Sequence, residues 1–126
     1  MSDPIFPDLI GKSVFITGGG SGIGAALTEA FLRQGAKVAF VQRSDGADFC
    51  DKMHEETGAR PLYLRCDITD TEALQAAMAG ARAANGPIQI LVNNAANDQR
   101  HTVVDVTQAF WDEAIAINLK CYFFAT

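Results

Sequence analysis

Residues 17–24 have the sequence Thr17-Gly18-Gly19-Gly20-Ser21-Gly22-Ile23-Gly24 and lie between an apolar run and a helical pattern. The apolar run at residues 14–16 is typical of a short buried strand, and apolar residues recur at helical spacing from Ile23 onward. Glycines let a backbone approach an anion closely, and the N–H groups at a helix N-terminus attract it. Strand, glycine-rich turn and helix in this order therefore predict a phosphate-binding turn.

The rest of the chain alternates strand and helix patterns. The predicted strands are 14–17, 38–41, 61–65 and 88–92. The predicted helices run from 23 to a stop at Gly35, over 45–57 before Gly58, from a cap at Asp70 to Asn85, briefly after a cap at Thr107, and again from near Glu113. Such alternation demands right-handed crossovers and a parallel sheet. We therefore expect an α/β fold of the doubly wound Rossmann type with strand order 3-2-1-4, spanning residues 1–126 as one nucleotide-binding domain that lacks the sheet's second half.

Composition excludes several classes of protein. The chain has 126 residues, is 48% hydrophobic and 20% charged, and carries a net charge of −5. These values indicate a globular domain and no nucleic-acid partner, because no basic patch could neutralise a run of phosphates. No apolar run approaches the roughly 20 residues of a membrane span. The cysteines are odd in number and lack metal or redox spacing, so we expect free thiols in a cytoplasmic protein and no metal site.

Polar motifs follow the later predicted strands. Asp67 and Ile68 come after the third strand, residues 93–96 (Asn93-Asn94-Ala95-Ala96) come after the fourth, and Asn118 lies in the last helix. The carboxyl ends of parallel strands share one edge of a sheet, where open α/β sheets bind ligands. The sequence therefore predicts that these residues approach the glycine-rich turn.

With these motifs the chain resembles the short-chain dehydrogenase/reductase family along its whole length. The resemblance implies a nicotinamide dinucleotide in the cleft and hydride transfer to or from a small alcohol or carbonyl substrate. The residues that match the family's pyrophosphate motif are Thr17, Gly18, Gly22, Ile23 and Gly24. Residues 93–101 resemble a branch that contains sugar dehydrogenases, and in that stretch Asp98, Arg100 and His101 either contact substrate or belong to a solvated loop.

The resemblance also implies roles for the later motifs. Asp67 would accept a hydrogen bond from the adenine amino group with Ile68 beside the ring, although Asp67 could instead cap a turn before Thr69. The stretch Asn93-Asn94-Ala95 would steady the sheet and line the ribose, and Ala96 stands where the family usually has glycine. Asn118 would support the proton relay, or it is an ordinary polar helix residue.

The end of the second strand bears on the choice between NAD and NADP. A carboxylate there would bind the ribose hydroxyls and repel a 2′-phosphate, whereas this chain has the neutral Gln42 followed by Arg43. We expect NADP to be preferred, because a guanidinium makes charge-assisted bonds to phosphate. Two observations oppose this: Ser21 stands where NADP users often have a second basic residue, and Asp45 could reach the ribose. A neutral Gln42 also disfavours another Rossmann-type enzyme such as a methyltransferase.

The family's catalytic Ser and Tyr-x-x-x-Lys have no match in this sequence, since Tyr63 is followed four residues later by Asp67 and Tyr122 by Thr126. One interpretation is the cofactor-binding part of a dehydrogenase, and the other is a nucleotide-binding module without catalysis. The fourth strand would have an open edge, and the apolar residues 121–125 lie in mid-helix. We therefore expect further chain or a partner to cover them, and by resemblance a homo-oligomer, either tetramer or dimer.

Overall fold

The computed structural model describes residues 4–96 and 103–126, and within them four parallel strands form one sheet between two layers of helices. The strands are β1 (Ser13–Thr17), β2 (Lys37–Gln42), β3 (Leu62–Arg65) and β4 (Ile90–Val92). The helices are α1 (Gly22–Arg33), α2 (Ala47–Thr57), α3 (Thr71–Asn85), α4 (Gln108–Ile115) and α5 (Cys121–Ala125), with a 3-10 turn at Pro7–Leu9 and a π-helical segment at Ala116–Lys120. The strand order β3-β2-β1-β4 confirms the predicted Rossmann-type topology.

The two central strands, β1 and β2, are largely buried on both faces because helices cover both, while β3 and β4 at the sheet edges are part-buried. Along β1, Val14 and Ile16 pack with residues of α1 and α2, while Phe15 between them packs with residues of α3 and α5. All three side chains are fully buried. This alternation explains why the strands appear in the sequence as unbroken apolar runs.

Local chemistry fixes most helix ends as predicted. The Asp70 carboxylate accepts a hydrogen bond from the Ala73 amide at 3.1 Å, and the Thr107 hydroxyl accepts one from the Phe110 amide at 3.0 Å. Gly58 ends α2 in the left-handed region, at a φ of 80°. The prediction that α2 starts at Asp45 is wrong by two residues, because the Asp45 carboxylate instead accepts the Ala47 amide at the helix start (2.9 Å).

The expected break near Glu113 is wrong. Helix α4 continues into the π-helical segment and then into α5, and the residues at both junctions keep right-handed helical angles. The wider turn is accompanied by a hydrogen bond in which the Cys121 thiol donates to the Ile117 carbonyl oxygen at 2.9 Å. All four strand starts also differ by one or two residues, since β1 and β2 each begin one residue earlier than predicted, β3 begins one later and β4 begins two later.

Within residues 4–96 and 103–126, no helix combines the length and apolarity needed to cross a membrane. The same residues contain no group of acidic, histidine and cysteine side chains that could hold a metal ion. All three cysteines, Cys50, Cys66 and Cys121, are buried and free.

Candidate functional site: a nucleotide cleft at the carboxyl edge of the sheet

The glycine-rich turn after β1 is shaped by contacts that a side chain would prevent. A Cβ on Gly24 would lie 1.8 Å from the Gly18 carbonyl oxygen and 2.7 Å from the Asn94 amide nitrogen. Gly18 itself has a φ of 71°, in the left-handed region that favours glycine. The start of α1 therefore lies directly against the turn, at a spacing that only glycine allows.

The N-terminus of α1 is available to an anion. Ser21 occupies the N-cap position with extended backbone, and its side chain makes no capping hydrogen bond. The N–H groups of the first helical turn, which begins at Gly22, have no intrahelical acceptors. Ile23 is 75% exposed at this end. The arrangement fits a phosphate group, which such a terminus attracts through its N–H groups and its dipole.

Thr17 and Asn94 join the turn to the end of β4. The buried Thr17 hydroxyl accepts hydrogen bonds from the Asn94 and Ala95 amides, each at 3.0 Å, and lies 3.5 Å from the Val92 carbonyl oxygen. The Asn94 side-chain amide donates to the carbonyl oxygens of Thr17 (3.1 Å) and Gly18 (3.2 Å). These contacts hold the glycine-rich turn and the loop after β4 in one arrangement.

Thr28 is a residue of the site that the sequence analysis missed. Its hydroxyl is fully buried and donates to the Gly19 carbonyl oxygen at 2.8 Å, which ties the turn to the second turn of α1. The only sequence signal was a polar residue on the inward face of an amphipathic helix.

A cleft of about 240 Å³ continues from the turn along the carboxyl ends of the strands. It brings together six predicted residues with four that sequence reasoning missed. The predicted ones are Gly18, Gln42, Arg43, Asp67, Ile68 and Ala95, and the others are Val41, Ser44, Cys66 and Ile117. Apolar side chains with one carboxylate and one guanidinium at the edge fit a flat heterocyclic base bearing a polar group.

Asp67 caps its own turn as well as bordering the cleft. Its Oδ1 accepts hydrogen bonds from the Thr69 hydroxyl at 2.7 Å and the Thr69 amide at 3.0 Å. These bonds hold the pKa of the carboxyl below its ordinary value, and the nearby Arg43 charge lowers the pKa further. Oδ1 therefore caps the turn before Thr69, while Oδ2 accepts no hydrogen bond within the described part of the chain.

The lowered pKa of Asp67 predicts a pH dependence of stability. Since the carboxyl binds protons less well in the folded state, its contribution is fully present above the unfolded-state pKa of about 4 and is lost as pH falls through the lower folded value. We expect Asp67→Asn to be less stable than wild type above about pH 4, and the difference between the two proteins to shrink as pH falls below that value. Unfolding midpoints measured from pH 2 to pH 7 check this. A constant difference between the two proteins across that range would contradict it.

Asn118, another predicted site residue, borders a different cavity. It lies in the π-helical segment, next to Ile117, which borders the cleft. Asn118 itself borders an apolar cavity together with Val106, Phe110 and Trp111. A π turn places a side chain in a direction that a regular helix would not, and such turns recur at functional sites.

Further residues named in the sequence analysis follow β4 in the chain. Ala96 is exposed at the end of the described segment, and Asn93 keeps a buried Oδ1 without a hydrogen-bond partner in the part of the chain that the structure describes. Asp98, Arg100 and His101 lie outside the described residues. Tyr122 also reaches this loop, since its hydroxyl donates to the Ala95 carbonyl oxygen at 2.7 Å.

The fold and this site define a class: nucleotide-binding α/β domains with the binding cleft at the carboxyl edge of a doubly wound sheet. A sequence profile described as short chain dehydrogenase matches residues 12–126, and the chain belongs to this family.

Named relatives are similar over nearly the whole of this chain. The chain is 47% identical over 121 residues to the probable galactose dehydrogenase GalD of Rhizobium meliloti (strain 1021), covering 94% of this chain and 47% of that protein. It is 48% identical over 128 residues to D-xylose 1-dehydrogenase of Caulobacter vibrioides (strain NA1000 / CB15N), covering 100% of this chain and 50% of that protein. The chain thus spans about half the length of the curated relatives it matches.

A solved structure supports the same relationship. NADH-dependent reductase A1-R′ complexed with NAD superposes with a TM-score of 0.87 at 30% identity, covering 97% of this chain and 52% of that one. The resemblance to the family and the expected topology are both confirmed.

Proposed function

We propose that this chain is the cofactor-binding part of an NAD(P)-dependent oxidoreductase that transfers a hydride between a nicotinamide cofactor and the hydroxyl- or carbonyl-bearing carbon of a sugar or polyol. The observation that carries the proposal is the contact of Gly24 with the Gly18 carbonyl oxygen, which opens the α1 N-terminus to a phosphate group. The cleft beyond it would take the adenosine part. The sugar class rests on the names of the galactose and D-xylose dehydrogenases.

The residues divide between the parts of such a cofactor. Thr17, Gly18 and the segment 21–24 would form the pyrophosphate site, with Thr17 acting through the loop it holds. Asp67 and Ile68 would bind the adenine, with Oδ2 of Asp67 accepting from its amino group, and Asn94, Ala95 and Ala96 would line a ribose. The bound nicotinamide would supply the hydride chemistry. Asn118 would act in proton transfer near the reacting carbon.

The direct test measures dinucleotide binding and turnover on the protein. We expect NAD or NADP to quench intrinsic fluorescence saturably. In a chain that also carries the family's catalytic Ser and Tyr-x-x-x-Lys, we expect D-xylose or galactose to reduce the bound cofactor, followed by absorbance at the nicotinamide band. Binding without turnover on any aldose or polyol would support the alternative of a nucleotide-binding module. Absence of binding to either dinucleotide would refute the proposal.

The preference for NADP rests on Arg43, which is exposed at the rim of the cleft. Asp45, the carboxylate that could have opposed a 2′-phosphate, is hydrogen-bonded to the Ala47 amide. We expect Arg43→Ala to weaken NADP binding about tenfold or more, as loss of a charge-assisted bond of about 1.5–3 kcal/mol requires, and to leave NAD affinity unchanged. Titration calorimetry with both dinucleotides measures this. Arg82→Ala, which removes the same charge from the last turn of α3, is the matched control.

An NADP affinity that Arg43→Ala leaves unchanged would make Arg43 an ordinary surface charge. If the wild type also binds NAD more tightly than NADP in the same titrations, NAD is the preferred cofactor.

A homo-oligomer, either dimer or tetramer, is supported by an apolar stripe on the continuous helix 108–125. Trp111, Leu119 and Phe123 are 61%, 61% and 74% exposed, and Ile115 lies between them at the same spacing of four residues. Exposed apolar stripes of this kind mark interaction surfaces. Sedimentation of Leu119→Glu beside wild type tests the oligomeric state, and we expect the variant to dissociate into monomers.

We also propose a cytoplasmic location, because the three buried cysteines are free and a reducing compartment keeps thiols in that state.

A further inference from the structure

The loop that joins β2 to α2, residues 43–46, is fixed by two side chains that converge on one backbone oxygen. The Tyr63 hydroxyl donates to the Ser44 carbonyl oxygen at 2.7 Å. The Gln42 side-chain amide donates to the same oxygen at 3.1 Å and lies 3.3 Å from the Ser44 hydroxyl. We refer to Gln42, Ser44 and Tyr63 as the Ser44 clamp.

Neighbouring groups lie close to the clamp on both sides. The Tyr63 ring packs against Phe40 with centroids 5.4 Å apart, and a Cβ on Gly46 would lie 2.8 Å from Tyr63 Cδ2. On the other side, a Cβ on Gly20 would lie 2.1 Å from Gln42 Oε1. The clamp therefore connects β3, the loop 43–46 and the glycine-rich turn through direct contacts.

Arg43 lies within this fixed frame. Its neighbours in the chain, Gln42 and Ser44, are both members of the clamp, and all three border the cleft. Asp45 on the far side is held by the Ala47 amide. The backbone on both sides of Arg43 is thus fixed, which limits the directions its side chain can take.

We propose that Tyr63 is a positioning residue for dinucleotide selectivity, whose hydroxyl fixes the Ser44 carbonyl and so presents Arg43 to the 2′-position of the ribose. This inference rests on the proposed function, and specifically on Arg43 as the residue that favours NADP. The competing explanation is that Tyr63 serves only to pack its ring beneath α2. Tyr63→Phe separates the two, because it keeps the ring and removes only the hydroxyl.

The expected result is a selective loss. Tyr63→Phe should raise the Kd for NADP about fivefold, which corresponds to one neutral hydrogen bond of about 1 kcal/mol, and change the Kd for NAD by less than about twofold. In an Arg43→Ala background, Tyr63→Phe should have no further effect on NADP, because the hydroxyl acts through Arg43. Thr57→Val is the matched control: it removes a hydroxyl that bonds the Met53 carbonyl oxygen at the other end of α2, and should leave the ratio of the two Kd values unchanged.

A second readout needs no nucleotide. Trypsin cleaves after arginine, so the initial rate of cleavage after Arg43 reports how firmly the clamp holds the loop in the free protein. We expect this rate to rise several-fold in Tyr63→Phe, and in Thr57→Val to match wild type.

Four outcomes would overturn the inference. Unchanged Kd values for both dinucleotides in Tyr63→Phe would mean that Tyr63 only packs its ring. Equal weakening of NAD and NADP binding, or a persisting effect in the Arg43→Ala background, would mean that the hydroxyl does not act through Arg43. An unchanged rate of cleavage after Arg43 would mean that the hydroxyl does not fix the loop. Failure of the wild type to bind either dinucleotide would instead refute the proposed function and the selectivity role with it, while the trypsin rates would still show whether the clamp exists.

Discussion

Gly24→Ala is expected to abolish dinucleotide binding and to lower the free energy of unfolding by several kcal/mol. The added methyl carbon would lie 1.8 Å from the Gly18 carbonyl oxygen, and that oxygen belongs to the backbone and cannot turn aside. The Asn94 amide, 2.7 Å from the same carbon, is hydrogen-bonded to two carbonyl oxygens and is equally constrained. Relief requires α1 to move away from β1, which disturbs the phosphate site and the packing of Thr28 together.

Calorimetric titration with NAD and NADP and urea unfolding of the same samples measure both effects. Gly58→Ala is the matched control, since its φ of 80° gives strain of about 1 kcal/mol with no atom within 4 Å of the added carbon. We expect Gly58→Ala to lose stability and keep full affinity. Dinucleotide affinity within threefold of wild type in Gly24→Ala would show that the close approach of α1 to the turn is not needed for binding.

Thr17→Val is the second substitution for which we expect a large effect. Valine has the shape of threonine, but it cannot accept the Asn94 and Ala95 amides, which would lose their partner in a part-buried region. A fully buried unsatisfied donor costs about 1–3 kcal/mol, so the free energy of unfolding should fall by at most about 2–6 kcal/mol.

Thr17→Ser is the control for this experiment, because it keeps the hydroxyl and deletes one methyl group. We expect serine to cost about 1 kcal/mol and to preserve dinucleotide affinity, whereas valine should weaken it by loosening the loop after β4. Chemical denaturation of both variants gives the comparison. A valine variant as stable as the serine variant would show that packing, rather than hydrogen bonding, determines the role of Thr17.

Sequence reasoning predicted the sheet because its signals are local. Val14–Ile16 and Val38–Val41 are apolar without interruption, and the caps at Asp70 and Thr107 act within three residues of themselves. It failed at Glu113, because no residue there ends a helix and the widened turn at Ala116–Lys120 depends on contacts made in three dimensions. Propensity carries no information about such a turn.

Site residues that belong to a sequence motif could be predicted, whereas those whose role depends on a three-dimensional contact could not. Gly18, Arg43 and Asp67 come together in the cleft as their positions after the strands implied. Tyr63 and Thr28 act through single hydrogen bonds to backbone oxygens 19 and 9 residues away, and neither has a distinguishing pattern in the sequence. Their roles depend on which carbonyl oxygens the fold brings near them.

The π-helical segment has a consequence for how this helix tolerates insertions and deletions. A π turn holds about one residue more than an α turn, so deleting one residue from Ala116–Lys120 should return the segment to regular α-helix with little rotation of the chain after it. Cys121 and Ala125 should then stay in the core, and the Tyr122 hydroxyl should stay near the Ala95 carbonyl oxygen. Inserting one more residue would instead rotate the rest of the helix by about 100° and carry these side chains away. Deletion of one residue in this segment should therefore be tolerated, whereas insertion of one should not.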